Sequence, residues 1–277
     1  MKWTLICACL GHISLLTALA APPIAIAWEQ EYLTITHRAL PDQAVAIHYL
    51  EAFCRPGSTD RDWKETVIPH KSTKLAAHHP GEIRLQQVLS DGVVVHHVIQ
   101  PVADGVAFDV SAYNPTETVS EAHWAQPCMR VDKFVGLPMK QSGEHYLPQC
   151  FIYLENKLTR MPTTVWAKQA RYIPGQVWCP LHVDRNDVNP RPLNSQVPSN
   201  GLIGCFSKDQ QWILGMAWEP YQELFQGVIT CLHADFRIGG LQPRERKQIR
   251  GKVYLFKGNE KTLLNNYRKD FPEHHDD

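Results

Sequence analysis

Short runs of alternating apolar and polar residues recur along the chain, and turn-forming residues separate them. Glu82-Ile83-Arg84-Leu85 has the two-residue period of a half-buried strand. After Val88-Leu89 comes Ser90-Asp91-Gly92 and then the apolar run Val93 to Ile99. Asp-Gly between two apolar runs predicts a hairpin, because the tight turn needs residues that tolerate positive φ. Val106, Phe108 and Val110 alternate with Ala107, Asp109 and Ser111 to predict a further strand, which Asn114-Pro115 ends. The stretches 150–154, 163–170, 212–218, 228–232 and 249–256 also read as strands. Helix signals are few. Asn259 can cap a C-terminal helix, with Glu260 in the first turn and Leu263, Leu264 and Tyr267 on one face. Residues 42–53 fit a helix weakly and could equally form a strand. Many short strands and few helices predict an all-β fold, a sandwich with a few short helices.

The segment from Cys179 to Gly201 breaks this rhythm with Pro, Asn and charged residues in place of a period. Apolar strands flank it, so the expectation is an ordered loop lying over one sheet.

Composition places the chain among globular proteins: 277 residues, 44 % hydrophobic and 20 % charged. Lys plus Arg is 28 and Asp plus Glu is 28, so the chain offers no electrostatic footprint for nucleic acid or an anionic membrane. Residues 1–27 read as a signal peptide: Lys2 leads an apolar run from Thr4 to Leu19. Small-x-small signals follow, before Ala21 and again before Trp28. No later stretch is long and apolar enough to span a bilayer. The expected mature protein is a single β-sandwich domain over 28–277, secreted or periplasmic, without a transmembrane segment. Its six Cys (Cys54, Cys128, Cys150, Cys179, Cys205 and Cys231) have wide spacings and no Cys-x-x-Cys, so they read as buried thiols or disulfides.

The segments 122–128, 187–192, 217–220 and 231–235 (Ala-His-Trp-Ala-Gln-Pro-Cys, Asp-Val-Asn-Pro-Arg-Pro, Ala-Trp-Glu-Pro and Cys-Leu-His-Ala-Asp) resemble those of a group of secreted bacterial proteins. The length and strand-rich layout resemble the galactose-mutarotase-like β-supersandwich. That resemblance implies a sugar-related role, because the fold hosts sugar epimerases, glycan-binding domains and parts of polysaccharide lyases. It assigns no role to any residue.

Candidate chemistry concentrates in the second half. His182-Val183-Asp184-Arg185-Asn186-Asp187 offers a His base, an Asp to orient it and an Arg for a carboxylate. His182 with Asp184 and Asp187 would also suit a divalent metal, the one cofactor this pattern suggests. As structure alone, the stretch is a loop held by Asx turns and ion pairs. Cys231, His233 and Asp235 alternate and would share one strand face with Arg237, which suits a Cys–His pair, a metal site, a His–Asp pair or a buried structural network. Trp212, Leu214, Met216 and Trp218 form a strand face that reads as core, although Trp218 beside Glu219 could serve a sugar as a stacking platform next to a carboxylate. The adjacent pairs His78-His79 and His96-His97 split between strand faces and read as structural. The tail His274-His275-Asp276-Asp277 reads as solvated. No Gly-rich nucleotide loop, Gly-x-Ser-x-Gly or His-Glu-x-x-His occurs.

The sequence reading is therefore an exported carbohydrate-related protein, a lyase, epimerase or hydrolase. His182, His233, Asp235 and Glu219 are the catalytic candidates, and Trp218, Arg185, Asp184 and Arg237 would bind a carbohydrate. These residues are expected to line one cleft. The alternative is a non-catalytic glycan-binding or cell-envelope module.

Overall fold

The computed structural model describes residues 22–139, 144–162, 176–190, 192–227 and 229–274. Residues 1–21 of the signal peptide expected over 1–27, the strand expected over 163–170 and the tail residues 275–277 lie outside them. In chain order the strands are β1 (Ile24–Glu29), β2 (Tyr32–His37), β3 (Val45–Cys54), β4 (Val67–Ile68), β5 (His70–Leu75), β6 (Ile83–Leu89), β7 (Val94–Val102), β8 (Gly105–Tyr113), β9 (Trp124–Arg130), β10 (Cys150–Leu154), β11 (Lys157–Arg160), β12 (Val177–Trp178), β13 (Leu202–Phe206), β14 (Trp212–Glu219), β15 (Tyr221–Gln226), β16 (Cys231–Arg237) and β17 (Arg246–Lys257). Short helices α1 (Trp63–Thr66) and α2 (Asp132–Val135) and the longer α3 (Glu260–Asp270) complete the chain. Among the described residues no helix is long and apolar enough to cross a membrane.

The strands form two antiparallel sheets. One has eight strands in the order β1-β2-β3-β9-β16-β15-β12, with β4 against β3. The other has nine in the order β11-β10-β13-β14-β17-β8-β7-β6-β5. This is the β-sandwich that alternation predicted. Along β6, Ile83, Leu85 and Leu89 are buried while Arg84, Gln86 and Val88 are not. The Asp91-Gly92 turn joins β6 to β7 with Val88 opposite Val94, and Gly92 takes a φ of 96°. Over residues 42–53 the strand wins: β3 lies between β2 and β9, where Val45, Ile47 and Phe53 are buried. The strand expected at 228–232 instead runs from Cys231 to Arg237. Residues 25–27, the second small-x-small signal, lie inside β1, which pairs with β2 along its whole length. A chain beginning at Ala21 would contain all of β1, whereas one beginning at Trp28 would lack four of its six residues.

The core fills the space between the sheets. Trp218 lies there with no exposed surface, 5.1 Å from Phe108 and 4.8 Å from Phe236 between ring centroids. Its ring lies flat on Gly251, its cross-strand partner, where any Cβ would come within 2.2 Å of the indole. The stripe Trp212, Leu214, Met216, Trp218 is thus a core face, and Trp218 is unable to stack on a sugar. The opposite face of β14 carries Ile213 and Ala217, which pack with Phe151, Tyr153 and Tyr254 against Leu263, Tyr267 and Phe271 of the α3 region. Asn259 caps α3 by accepting from the Thr262 N–H, as its position predicted.

One polar pair lies inside the sandwich. Tyr49 Oη and His97 Nδ1 are 2.8 Å apart, and His97 is 1 % exposed. His96 points the other way and meets Gln86 at 3.0 Å, so the pair does split between faces. Burial foremost, and then His96 and His70, push the His97 pKa down to about 3. An unfolded His97 takes up a proton below about pH 6.5, whereas the folded one stays neutral until about 3. The unfolded state therefore binds more protons in that window, and stability falls as pH drops through it, by up to about 1.4 kcal/mol per unit. Urea unfolding at pH 7 and pH 5 should show the native chain losing about 2 kcal/mol more than His97→Gln over this interval. Parallel losses in the two proteins would refute this role for His97.

Candidate functional site

The loop after β12 lies over the outer face of the eight-stranded sheet. Val183 and Val188 pack with Val177, Cys179 and Phe225. Asp187, 3 % exposed, is held from three sides: Ser58 Oγ at 3.3 Å, His123 Nδ1 at 3.1 Å and Arg237 Nη1 at 3.4 Å. The Asn189 N–H donates to both Glu223 oxygens at 2.9 and 3.1 Å, and Gln222 Nε2 donates to the Asp187 carbonyl. The ordered loop expected between Cys179 and Gly201 is therefore present. The chemistry expected of its polar run is not assembled. Asp184 is exposed and accepts from the Asn186 N–H, an Asx turn. Arg185 turns inward to the Cys179 carbonyl and sulfur. Arg237 Nη1 donates to Asp187 and to Gln222, which ties the guanidinium to the loop. With Asp187 committed elsewhere and Asp184 in its turn, these two and His182 do not converge on a metal.

Beneath this loop, β16 presents Cys231, His233 and Asp235 on the outer face, as their period required. His233 stacks on Phe225 at 4.2 Å. Its Nε2 lies 3.5 Å from Cys231 Sγ and its Nδ1 lies 3.8 Å from Asp235. Burial lowers the His233 pKa, but the Cys231 sulfur and the Asp235 carboxylate outweigh it and push the value up to about 9. Burial raises the Cys231 thiol, yet bonding to Cys128 and the charge on His233 win and bring it well below its usual value. The Cys231–His233 contact is sealed from solvent. All six described cysteines are buried free thiols.

A cavity of about 1190 Å³ opens elsewhere, at the corner where the chain crosses from β14 to β15 through Glu219-Pro220. Its walls come from four places: Tyr153, Glu155 and Asn156 at the β10–β11 turn, Pro180 to His182 of the long loop, Val197 to Asn200, and the end of α3 with Arg268, Glu273 and His274. Glu219 and Tyr221 form the floor between them. The one-cleft expectation is thus corrected: His182 and Glu219 line this cavity, while His233 and Asp235 lie under the loop and Trp218 lies in the core.

His274, which the sequence placed in a solvated tail, is the group that completes the cavity. Its Nε2 lies 2.5 Å from Glu219 Oε2, and its side chain is 8 % exposed. Tyr267 Oη accepts the Gly201 N–H at 3.1 Å and meets His274 Nδ1 on the other side. Burial raises the Tyr267 pKa well above its ordinary value, so the phenol keeps its proton and can donate to Nδ1. That leaves Nε2 to carry the hydrogen toward Glu219. The ring is fixed by stacking on Phe271 at 5.5 Å and by the edge of Tyr221 at 5.7 Å. On the facing wall His182 is exposed, and partial burial followed by Arg237 lowers its pKa, so it is neutral at neutral pH.

Among the described residues, two clusters bring metal-ligand atoms within 4.8 Å of one another: Cys128, Cys231 and His233, and Glu219, Glu273 and His274. In the second, Glu219 and His274 are already hydrogen-bonded and Glu273 pairs with Arg250, so its geometry is that of a proton relay. Sequence reasoning missed His274, Tyr267 and Cys128. The available signal for the first was Pro272 directly after Phe271, which ends α3 and opens the one-turn 3₁₀ segment Pro272–His274.

No protein-family model matches the sequence, and no curated protein matches it. Among solved structures the chain is similar to a candidate aldose 1-epimerase from Escherichia coli K12, at 12 % identity and a TM-score of 0.43 over 85 % of this chain and 99 % of that one. It is also similar to galactose mutarotase-like proteins from Lactobacillus casei (7 % identity, TM-score 0.42, 84 % of this chain and 100 % of that one) and Clostridium acetobutylicum (8 %, 0.40, 84 % and 95 %). No residue role is taken from these neighbours.

Proposed function

We propose that the corner cavity binds a carbohydrate and that Glu219, His274 and His182 move protons on it, as in an epimerase or lyase. The observation that carries this is the Tyr267–His274–Glu219 string, with its 2.5 Å His–Glu contact at the wall of an open cavity. A buried Tyr fixes the imidazole tautomer, and a carboxylate at the other nitrogen takes or returns a proton. His182 on the facing wall is neutral and can act as a base from the other side. The walls suit a sugar: Pro180 and the exposed Leu181 for its apolar C–H face, Asn156, Ser199 and Asn200 for hydroxyls, and Arg268 for a uronate carboxylate. The leader-like residues before Ala21 support placing this activity outside the cytoplasm.

A panel of neutral and uronate-containing oligosaccharides tests the reading, with binding followed by calorimetry and turnover by NMR of the sugar. The expected result is binding of at least one member with ring-proton exchange or epimerisation. Binding without turnover would favour the glycan-binding module, and binding of none would overturn the carbohydrate assignment.

A further inference from the structure

We propose that Cys128, Cys231 and His233 form a buried site for a zinc-type divalent cation, separate from the corner cavity. Register builds it. Leu232 opposite Met129 and Phe236 opposite Ala125 bring Cys128 across from His233, with Cys231 two residues back on the same face. The two sulfurs and one imidazole nitrogen lie within 4.8 Å of one another. In a tetrahedral zinc site, bonds of about 2.3 Å to sulfur and about 2.0 Å to nitrogen put those ligands about 3.5 Å apart. Cys231 Sγ and His233 Nε2 are 3.5 Å apart.

Three further features fit a cation. Asp235 lies 3.8 Å from His233 Nδ1, on the far side of the ring from the sulfurs, where metal-bound imidazoles keep a carboxylate partner. Gly227 stands over the site: a Cβ there would lie 2.0 Å from Cys231 Sγ and 3.2 Å from His233 Nε2, so only glycine leaves the ligand atoms clear. Two thiolates balance a dipositive ion, which makes the loaded site electrically neutral in a place without solvent. Binding displaces the protons that the thiols and the imidazole hold, and the three protein ligands leave one coordination position open. All three ligands are buried, so the ion enters as the chain folds.

The test uses the full chain, expressed with zinc and purified under reducing conditions without chelator. Elemental analysis should find one zinc per chain, and refolding with cobalt(II) should give a thiolate-to-metal charge-transfer band. Cys128→Ser and Cys231→Ser should lose both signals while Cys54→Ser keeps them. His233→Cys, which restores a ligand, should keep the band with greater intensity. Asp235→Asn should weaken zinc binding about 10- to 100-fold in chelator competition, and that readout stands even if a serine variant fails to fold. A folded, reduced chain with neither zinc nor a cobalt band would overturn the site. So would a Cys128–Cys231 disulfide in the native protein, or zinc content unchanged in both serine variants.

Discussion

Replacing Asp187 by Ala should lower stability by about 3 kcal/mol, because it removes one partner of a buried charge network and strands the other. Arg237 has 18 % of its side chain exposed and His123 24 %, which puts the expectation at the low end for a broken buried pair. The loss should appear in a particular place. Asp187 ties the long loop to Ser58, to His123 beside β9 and to Arg237 of β16, and Asn189 then reaches Glu223 of β15. Without it, the cover formed by Val183 and Val188 over Phe225 loosens, and amides of β15 and β16 should exchange faster than those of β7 and β8. Asp184→Ala removes only an exposed turn acceptor and should cost less than about 1 kcal/mol. Denaturant unfolding of the two variants side by side separates the cases. Equal, small losses would mean that the loop is held by its apolar contacts alone.

Glu219→Gln and His274→Gln should each reduce turnover on the identified sugar by about 10²- to 10⁴-fold, the range for a lost acid or base. Binding should survive within about tenfold, because both replacements keep hydrogen-bonding side chains of similar length. The effects should not add: both residues serve one proton path, so the double variant is expected to be little worse than either single one. His233→Gln removes an imidazole outside the cavity and should leave the rate constant for turnover nearly intact in chains that fold. A large loss at His233 with none at His274 would move the chemistry under the long loop.

Local chemistry carried part of the fold to the reader. Asp91-Gly92 marked its hairpin because the turn itself demands those residues, and Asn259 marked the start of α3 because its side chain caps the first turn. The β14 stripe is the core face its pattern suggested, but the sugar-stacking role also offered for Trp218 does not survive its burial. Residues 42–53 stayed ambiguous because the choice is made by β2 and β9 on either side of β3, contacts distant in sequence. The site was less legible for the same reason. Alternation showed that Cys231, His233 and Asp235 share a face, but Cys128 joins them only through the register of β9. Glu219 stood out as a carboxylate at a strand end. Its partner His274 lies 55 residues on, brought back by the packing of α3 on Phe151 and Tyr254. The polar run at His182 looked catalytic by density, yet most of it fastens a loop: composition shows which groups are present, and only packing shows which are already satisfied.

Hydrogen exchange of the chain with and without its bound glycan locates the ligand most directly. Protection is expected together at 153–156, 197–201, 219–221 and 264–274, the segments that line the corner cavity. Protection confined to 179–190 and 231–237, with the cavity walls unchanged, would contradict the assignment of the cavity as the carbohydrate site.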